Sequence, residues 1–243
     1  MSVTPSGAAT VDLRPTLPPV HDQGLRGTCL AFAVTAGHEV SRTTGQVTED
    51  LSEEGLYWGC KRIDRNWLGG TTFASAAVAL GRWGQPSETD WPYHRRRKEG
   101  VAYSPPSRAG GKGWFKSGLR RVTVIVADVR THLDAGIPVM LGLTLFDTFY
   151  RPDPAGHIAD PAPGARVKGH HAVLAVGHEV GELLIRNSWG TTWGLGGYAW
   201  IGDGYVNTHT GSAWLVDATA TAGSASTAGV HVDGSKEDVY GTR

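Results

Sequence analysis

Gln23-Gly24-Leu25-Arg26-Gly27-Thr28-Cys29-Leu30-Ala31-Phe32-Ala33 is the stretch on which the fold turns. Two glycines make a turn, and an apolar helical pattern opens directly behind it. Leu30, Ala33, Val34 and Gly37 share one helical face, with Thr28 available as a cap and Gly45 as a stop. Cys29 therefore stands at a helix start. The exposed N–H groups of a first turn favour negative charge, which predicts a thiol shifted towards thiolate. Taken alone, the residue reads equally as a buried cysteine packed like an alanine.

Towards the N-terminus, residues 11–23 carry three prolines and read as extended chain, and residues 1–10 as a flexible arm. Towards the C-terminus, a second helix is predicted from Ser52, with Glu53 and Glu54 in its first turn. A third is predicted from Thr72 to Trp83, ended by Gly84. Residues 84–118 are loop-rich, and the run Arg95-Arg96-Arg97-Lys98 reads as a solvated face rather than a site for an acidic partner. Beyond them, Val139–Phe146, His171–Gly177, Leu183–Ile185 and Tyr198–Ile201 read as strands. Val129–Ala135 reads as a short helix, and Arg151–Lys168 as a surface loop. Residues 218–243 hold too little to bury and are expected to be a disordered tail. Helices first and strands second argue for α+β with two lobes and a cleft between them. One such unit covers 11–217, with a helical lobe at about 24–118 and a β lobe at about 119–217, to which 11–23 crosses.

Composition narrows the function. The 243 residues carry 23 basic and 23 acidic groups, without the basic excess of a non-specific nucleic-acid binder. No apolar run approaches 18 residues, so no membrane span is expected. The start, Met1-Ser-Val-Thr-Pro, lacks the basic and apolar regions of a signal peptide. The only cysteines are Cys29 and Cys60. They predict free thiols in a reducing, cytoplasmic setting. No Cys-x-x-Cys or His-Glu-x-x-His occurs, so neither metal nor other cofactor is expected.

A nucleophilic thiol needs a proton acceptor. His170 and His171 open a predicted strand and must face opposite sides of it. A hairpin through the Glu179–Glu182 turn returns Asn187 towards His171, where an amide oxygen would fix the ring's tautomer. Each residue alone has an ordinary structural reading. Together and in this order, they resemble the papain-like cysteine peptidases, here of a bacterial type without a propeptide. The segment from Gln23 to Ala33 resembles that family's Gln-Gly-x-Cys-Gly-Ser-Cys-Trp-Ala-Phe. Leu51-Ser-Glu-Glu, Gly69-Gly70, Trp91-Pro-Tyr, His171-Ala-Val and Asn187-Ser-Trp-Gly are similar to further family motifs. The 142 residues from Cys29 to His171 fit the papain-type range of about 130–150.

The resemblance implies a helical left lobe and an antiparallel β-barrel-like right lobe, with the active site in the cleft between them. It implies a peptide or protein substrate, with Cys29 as nucleophile and His171 as proton carrier. Asn187 would orient that histidine, Trp189 would shield their bond from water, and Gln23 with the Cys29 N–H would form the oxyanion hole. Gly69 and Gly70 would let substrate backbone approach. Thr72, Gly142, Gly169 and His170 would lie near a roomy pocket for the second residue before the cut. Two alternatives remain: a peptide ligase or amide-conjugate hydrolase of the same chemistry, and an inactive peptide-binding module. Leu30 stands where the family has tryptophan, Arg26 where it has a bridging cysteine, and Cys60 where another bridge cysteine lacks its partner.

Overall fold

The computed structural model describes residues 10–42, 49–110, 113–217 and 239–241. In chain order the elements are β1 (Val11–Asp12), α1 (Cys29–Arg42), α2 (Glu53–Asp64), α3 (Phe73–Arg82), β2 (Gly118–Val122), α4 (Val126–Asp134), β3 (Val139–Leu145), β4 (His157–Ile158), β5 (Gly169–Glu179), β6 (Glu182–Arg186), β7 (Tyr198–Gly202), α5 (Asp203–His209) and β8 (Thr210–Asp217). The strands lie in the order β2-β8-β3-β5-β6-β7-β4, antiparallel except for β4 on β7, while β1 pairs with β5.

The helix starts follow from local chemistry. Ser52 caps α2 by accepting from the Gly55 N–H, and Thr72 caps α3 by accepting from the Ser75 N–H. Gly84, at φ +82°, lets the chain turn away after α3. Thr28 departs from expectation: its hydroxyl bonds the Tyr93 phenol at 2.7 Å instead of capping α1. The expected stop at Gly45 and the arm at 1–9 lie outside the described residues.

Two apolar cores result. One joins α1, α2 and α3 to the face of the sheet carrying Met140, Ala172, Leu174 and Trp214. The other fills the opposite face between β3, β5, β6, β7, α4 and α5. Strand β5 serves both, so its side chains are buried on either face and its sequence shows no polar alternation. The connection 84–118 is pinned by indoles, with Trp91 and Trp114 packed 5.7 and 5.9 Å from Trp58. Two residues of the basic run are not simply solvated: Arg95 pairs with Asp22 at 2.6 Å and Arg97 with Glu54 at 2.9 Å. The loop 151–168 contains β4, which the sequence pattern did not indicate. Of the tail expected at 218–243, residues 218–238 and 242–243 lie outside the described residues, and Tyr240 among the three described is 3% exposed.

Candidate active site

Cys29 opens α1 and is wholly buried where that helix meets β5. The backbone N–H of Ala172, the residue after His171, donates to Cys29 Sγ at 3.5 Å. This contact joins positions 143 residues apart. His171 Nε2 lies 2.7 Å from Asn187 Oδ1. The same Oδ1 accepts from the Ser188 N–H at 2.8 Å. A backbone N–H can only donate, so the oxygen's identity is fixed, and Nε2 must carry the hydrogen it shares with Asn187. The neutral ring then accepts protons at Nδ1. The β5–β6 hairpin sets this geometry: Gly181, at φ +84°, makes the turn, and Leu174 pairs with Arg186, one residue before Asn187.

Trp189 covers the pair, its ring 4.8 Å from that of His171. Phe149 approaches His171 at 5.7 Å, and Tyr150 stacks on Trp189 at 5.2 Å. Neither was marked by the sequence, because both lie on a single 3-10 turn, Asp147–Tyr150, after β3. The aromatic cover lowers the local dielectric and strengthens the imidazole–amide bond.

Gln23 is buried and held at both ends. Its Oε1 accepts from Ser188 Oγ at 2.6 Å, and its Nε2 donates to the Arg26 carbonyl at 2.7 Å. Nε2 carries two hydrogens, so a second can serve an anionic oxygen. The Gln23 N–H bonds the Ser188 carbonyl at 2.8 Å. Ser188 thus ties the oxyanion candidate to the Asn187 block, a role with no sequence signature beyond its place in the motif.

Burial opposes the pull that the helix start exerts on Cys29. It pushes the thiol up to about 12, with the N–H groups of Ala172 and Leu30 pulling the other way. Desolvation outweighs the helix start, so a thiolate here requires a partner that takes the proton. Cys60 is also a free, buried thiol, pushed up to about 12 by burial.

Arg26, in place of a bridge cysteine, forms a buried ion pair with Glu54 of α2, Nη1 to Oε2 at 2.5 Å. It thereby ties the loop before Cys29 to the helical core. Lys61, 1% exposed, donates to Asp64 at 2.9 Å and to the Gly70 carbonyl at 2.6 Å, fixing the glycine pair.

The expected substrate-side residues divide. Gly70, Gly142 and His170 line one groove, which contains Tyr240. Gly69 does not face it: a Cβ there would strike the Glu99 carboxylate at 2.5 Å. Thr72 uses its hydroxyl in the α3 cap, and its neighbour Thr71 supplies the backbone edge of the groove. Among the described residues no group of three or more His, Cys, Asp or Glu could hold a metal ion, and no helix is long and apolar enough to cross a membrane.

Comparison with known proteins adds independent findings. A family model described as papain family cysteine protease matches residues 7–220. Papain from Carica papaya is 31% identical over 194 residues, 79% of this chain and 53% of papain's length. Cathepsin K from Gallus gallus is 31% identical over 197 residues, 74% of this chain and 54% of that protein. The chain thus spans about half the length of the curated relatives it matches. Among solved structures, xylellain, a cysteine protease from Xylella fastidiosa, superposes with a TM-score of 0.75 at 24% identity, covering 87% of each chain. The Carica candamarcensis cysteine protease CMS1MS2, in complex with E-64, gives a TM-score of 0.67 at 24% identity over 86% of this chain and 97% of that one. These two share the two-lobed α+β fold. This chain belongs to the papain family of cysteine proteases.

Proposed function

We propose that the chain is a cysteine peptidase that hydrolyses peptide bonds through a thioester. Cys29 passes its proton to His171 Nδ1, and the resulting thiolate attacks the carbonyl carbon. The oxygen, now negative, takes hydrogen bonds from Gln23 Nε2 and the Cys29 N–H. When the C–N bond breaks, His171 returns the proton to the leaving amine. Water then attacks the thioester, His171 accepts its proton, and the acid departs as the thiol is restored. Asn187 keeps the ring in the tautomer that presents Nδ1, and Trp189 excludes water from the pair.

The observation that carries this reading is the convergence of Cys29 with the strand of His171, while Asn187 Oδ1 sits 2.7 Å from His171 Nε2. The burial of Cys29 supports a mechanism in which ionisation is tied to proton transfer rather than to the helix end. Peptides or proteins are the substrates. Two free thiols support a reducing, cytoplasmic compartment. Usage rich in Ala, Gly and Arg is the basis for inferring a bacterial source.

Hydrolysis of a peptide library by the purified chain and its Cys29→Ala variant tests the reading. Turnover is expected to vanish in the variant with its unfolding temperature nearly unchanged. Equal turnover by the two proteins would reject Cys29 as nucleophile.

A further inference from the structure

Val239–Gly241 lies in the groove between Gly70 and His170, where Tyr240 forms an isolated antiparallel bridge with Thr71. The Tyr240 N–H donates to the Thr71 carbonyl at 2.9 Å, and the Thr71 N–H donates back to Tyr240 at 3.1 Å. The Gly241 N–H donates to the carbonyl of His170, next to His171, at 3.3 Å. Side chains alternate as on a strand added to a sheet edge, with Val239 exposed and Tyr240 buried.

The pocket is shaped for an aromatic ring. The Tyr240 ring meets Phe73 at 5.4 Å and His170 at 6.3 Å, while Ser212 Oγ lies 3.2 Å from its hydroxyl. A Cβ on Gly142 would come within 2.3 Å of that hydroxyl, so glycine there makes the room. The next position is the opposite case. A Cβ on Gly241 would come within 2.3 Å of Gly70 Cα and 2.6 Å of Gly70 N. Those are backbone atoms, held by Lys61 on the Gly70 carbonyl and by the 2.9 Å bond from the Gly70 N–H to Gly27. Gly27 in turn is two residues before Cys29. Glycine alone fits between the two loops.

We propose that Val239–Gly241 is a tethered, substrate-like ligand of the catalytic cleft, competing with incoming peptides and displaying what the cleft selects: an aromatic residue followed by glycine. This rests on the peptidase reading, with Gly241 in the position next to the cut bond and Tyr240 in the one before it. Residues 218–238 link the segment to β8, and a link of that length can span about 70 Å, ample for binding within one chain. Tethering gives an effective concentration on the order of 1 mM. Where that concentration is about ten times the segment's own dissociation constant, competition raises the apparent KM about tenfold.

The experiment uses full-length wild type, Tyr240→Ala, Tyr240→Phe and Gly241→Val, with blocked Tyr-Gly, Tyr-Ala and Ala-Gly coumarin amides. Tyr240→Ala and Gly241→Val are expected to lower KM for the Tyr-Gly substrate about tenfold, in KM rather than kcat, and Tyr240→Phe to stay near wild type. Added acetyl-Val-Tyr-Gly amide should restore the higher KM in Tyr240→Ala, whereas acetyl-Val-Ala-Gly and acetyl-Val-Tyr-Val amides should not. Unchanged KM in both disrupting variants, equal cleavage of Tyr-Gly and Ala-Gly, or masking that grows with protein concentration overturns the proposal. A labelled Val-Tyr-Gly peptide is also titrated against Cys29→Ala/Tyr240→Ala by anisotropy. Saturable binding there supports the ligand assignment even if no form turns over, so failure of the peptidase reading stays distinguishable. Absence of binding overturns the assignment alone.

Discussion

The tether at Arg26 gives a prediction whose size can be worked from the contacts. Glu54 is fully buried and Arg26 is 4% exposed. Arg26 grips the carboxylate twice, Nη1 to Oε2 at 2.5 Å and Nη2 to Oε1 at 3.2 Å. Arg97 Nε reaches Oε1 at 2.9 Å, and the His94 N–H donates to Oε2 at 3.1 Å. The two partners are therefore not equivalent. Glu54→Gln leaves Arg26 buried without its anion, and breaking a buried pair in this way costs about 3–5 kcal/mol. Arg26→Met leaves Glu54 with Arg97 and the His94 N–H, and keeps an apolar stem near Tyr57 and Tyr93, over which the guanidinium now sits at 5.4 and 4.9 Å. Its cost should fall below about 3 kcal/mol. At about 2–4 °C per kcal/mol for a chain of this size, Glu54→Gln lowers Tm by about 6–20 °C and Arg26→Met by less. Calorimetry of both variants and of Arg26→Met/Glu54→Leu measures this, with the double variant expected to recover part of the loss. A larger loss for Arg26→Met than for Glu54→Gln, or two losses under about 1 kcal/mol, would refute the reasoning.

Other outcomes follow from the same contacts. Gln23→Ala should lower kcat about 10²–10³-fold with little change in KM, since its second amide hydrogen acts on the negative oxygen of the transition state; steady-state kinetics on one peptide checks it. Asn187→Ala should retain measurable turnover, whereas His171→Ala should retain none above background, in the same assay. Glu39 is buried, which raises its carboxyl to about 8, and His21 beside Glu53 is raised to about 9. Both bind protons more tightly folded than unfolded. Stability should therefore fall as pH rises from about 4.5 to 8 for Glu39, and from about 6.5 to 9 for His21. Unfolding temperatures across pH 5–9 should decline in wild type and less steeply at the acid end in Glu39→Gln, where Glu88, also raised to about 8 by burial, keeps part of the slope.

The parts of this site that the sequence disclosed are those whose chemistry is local. Cys29 behind a glycine turn, paired histidines opening a strand and Asn187 after a hairpin are visible as spacings, and the resemblance to the papain-like peptidases joined them into one candidate site. Ser52 and Thr72 mark helix starts because a cap acts within three residues. Thr72 misled for the same reason: its hydroxyl serves the cap, and the groove edge belongs to Thr71. Gly69 misled because a glycine pair does not say which member faces the groove. β8 was missed because it is buried on both sides through distant pairing with β2 and β3, so no alternation marks it. The sequence shows the helix start that favours a Cys29 thiolate but not the burial that opposes it. Tyr240 escaped notice because averaged composition hides one aromatic anchor whose pocket lies elsewhere in the chain.

The most direct measurement is mass-spectrometric mapping of an epoxide electrophile near neutral pH on the wild type, His171→Ala and Tyr240→Ala. A thiol ionised only through His171 predicts modification at Cys29 and not at Cys60, lost in His171→Ala and accelerated in Tyr240→Ala. Equal labelling of Cys29 and Cys60, or labelling of Cys29 that persists without His171, would contradict it.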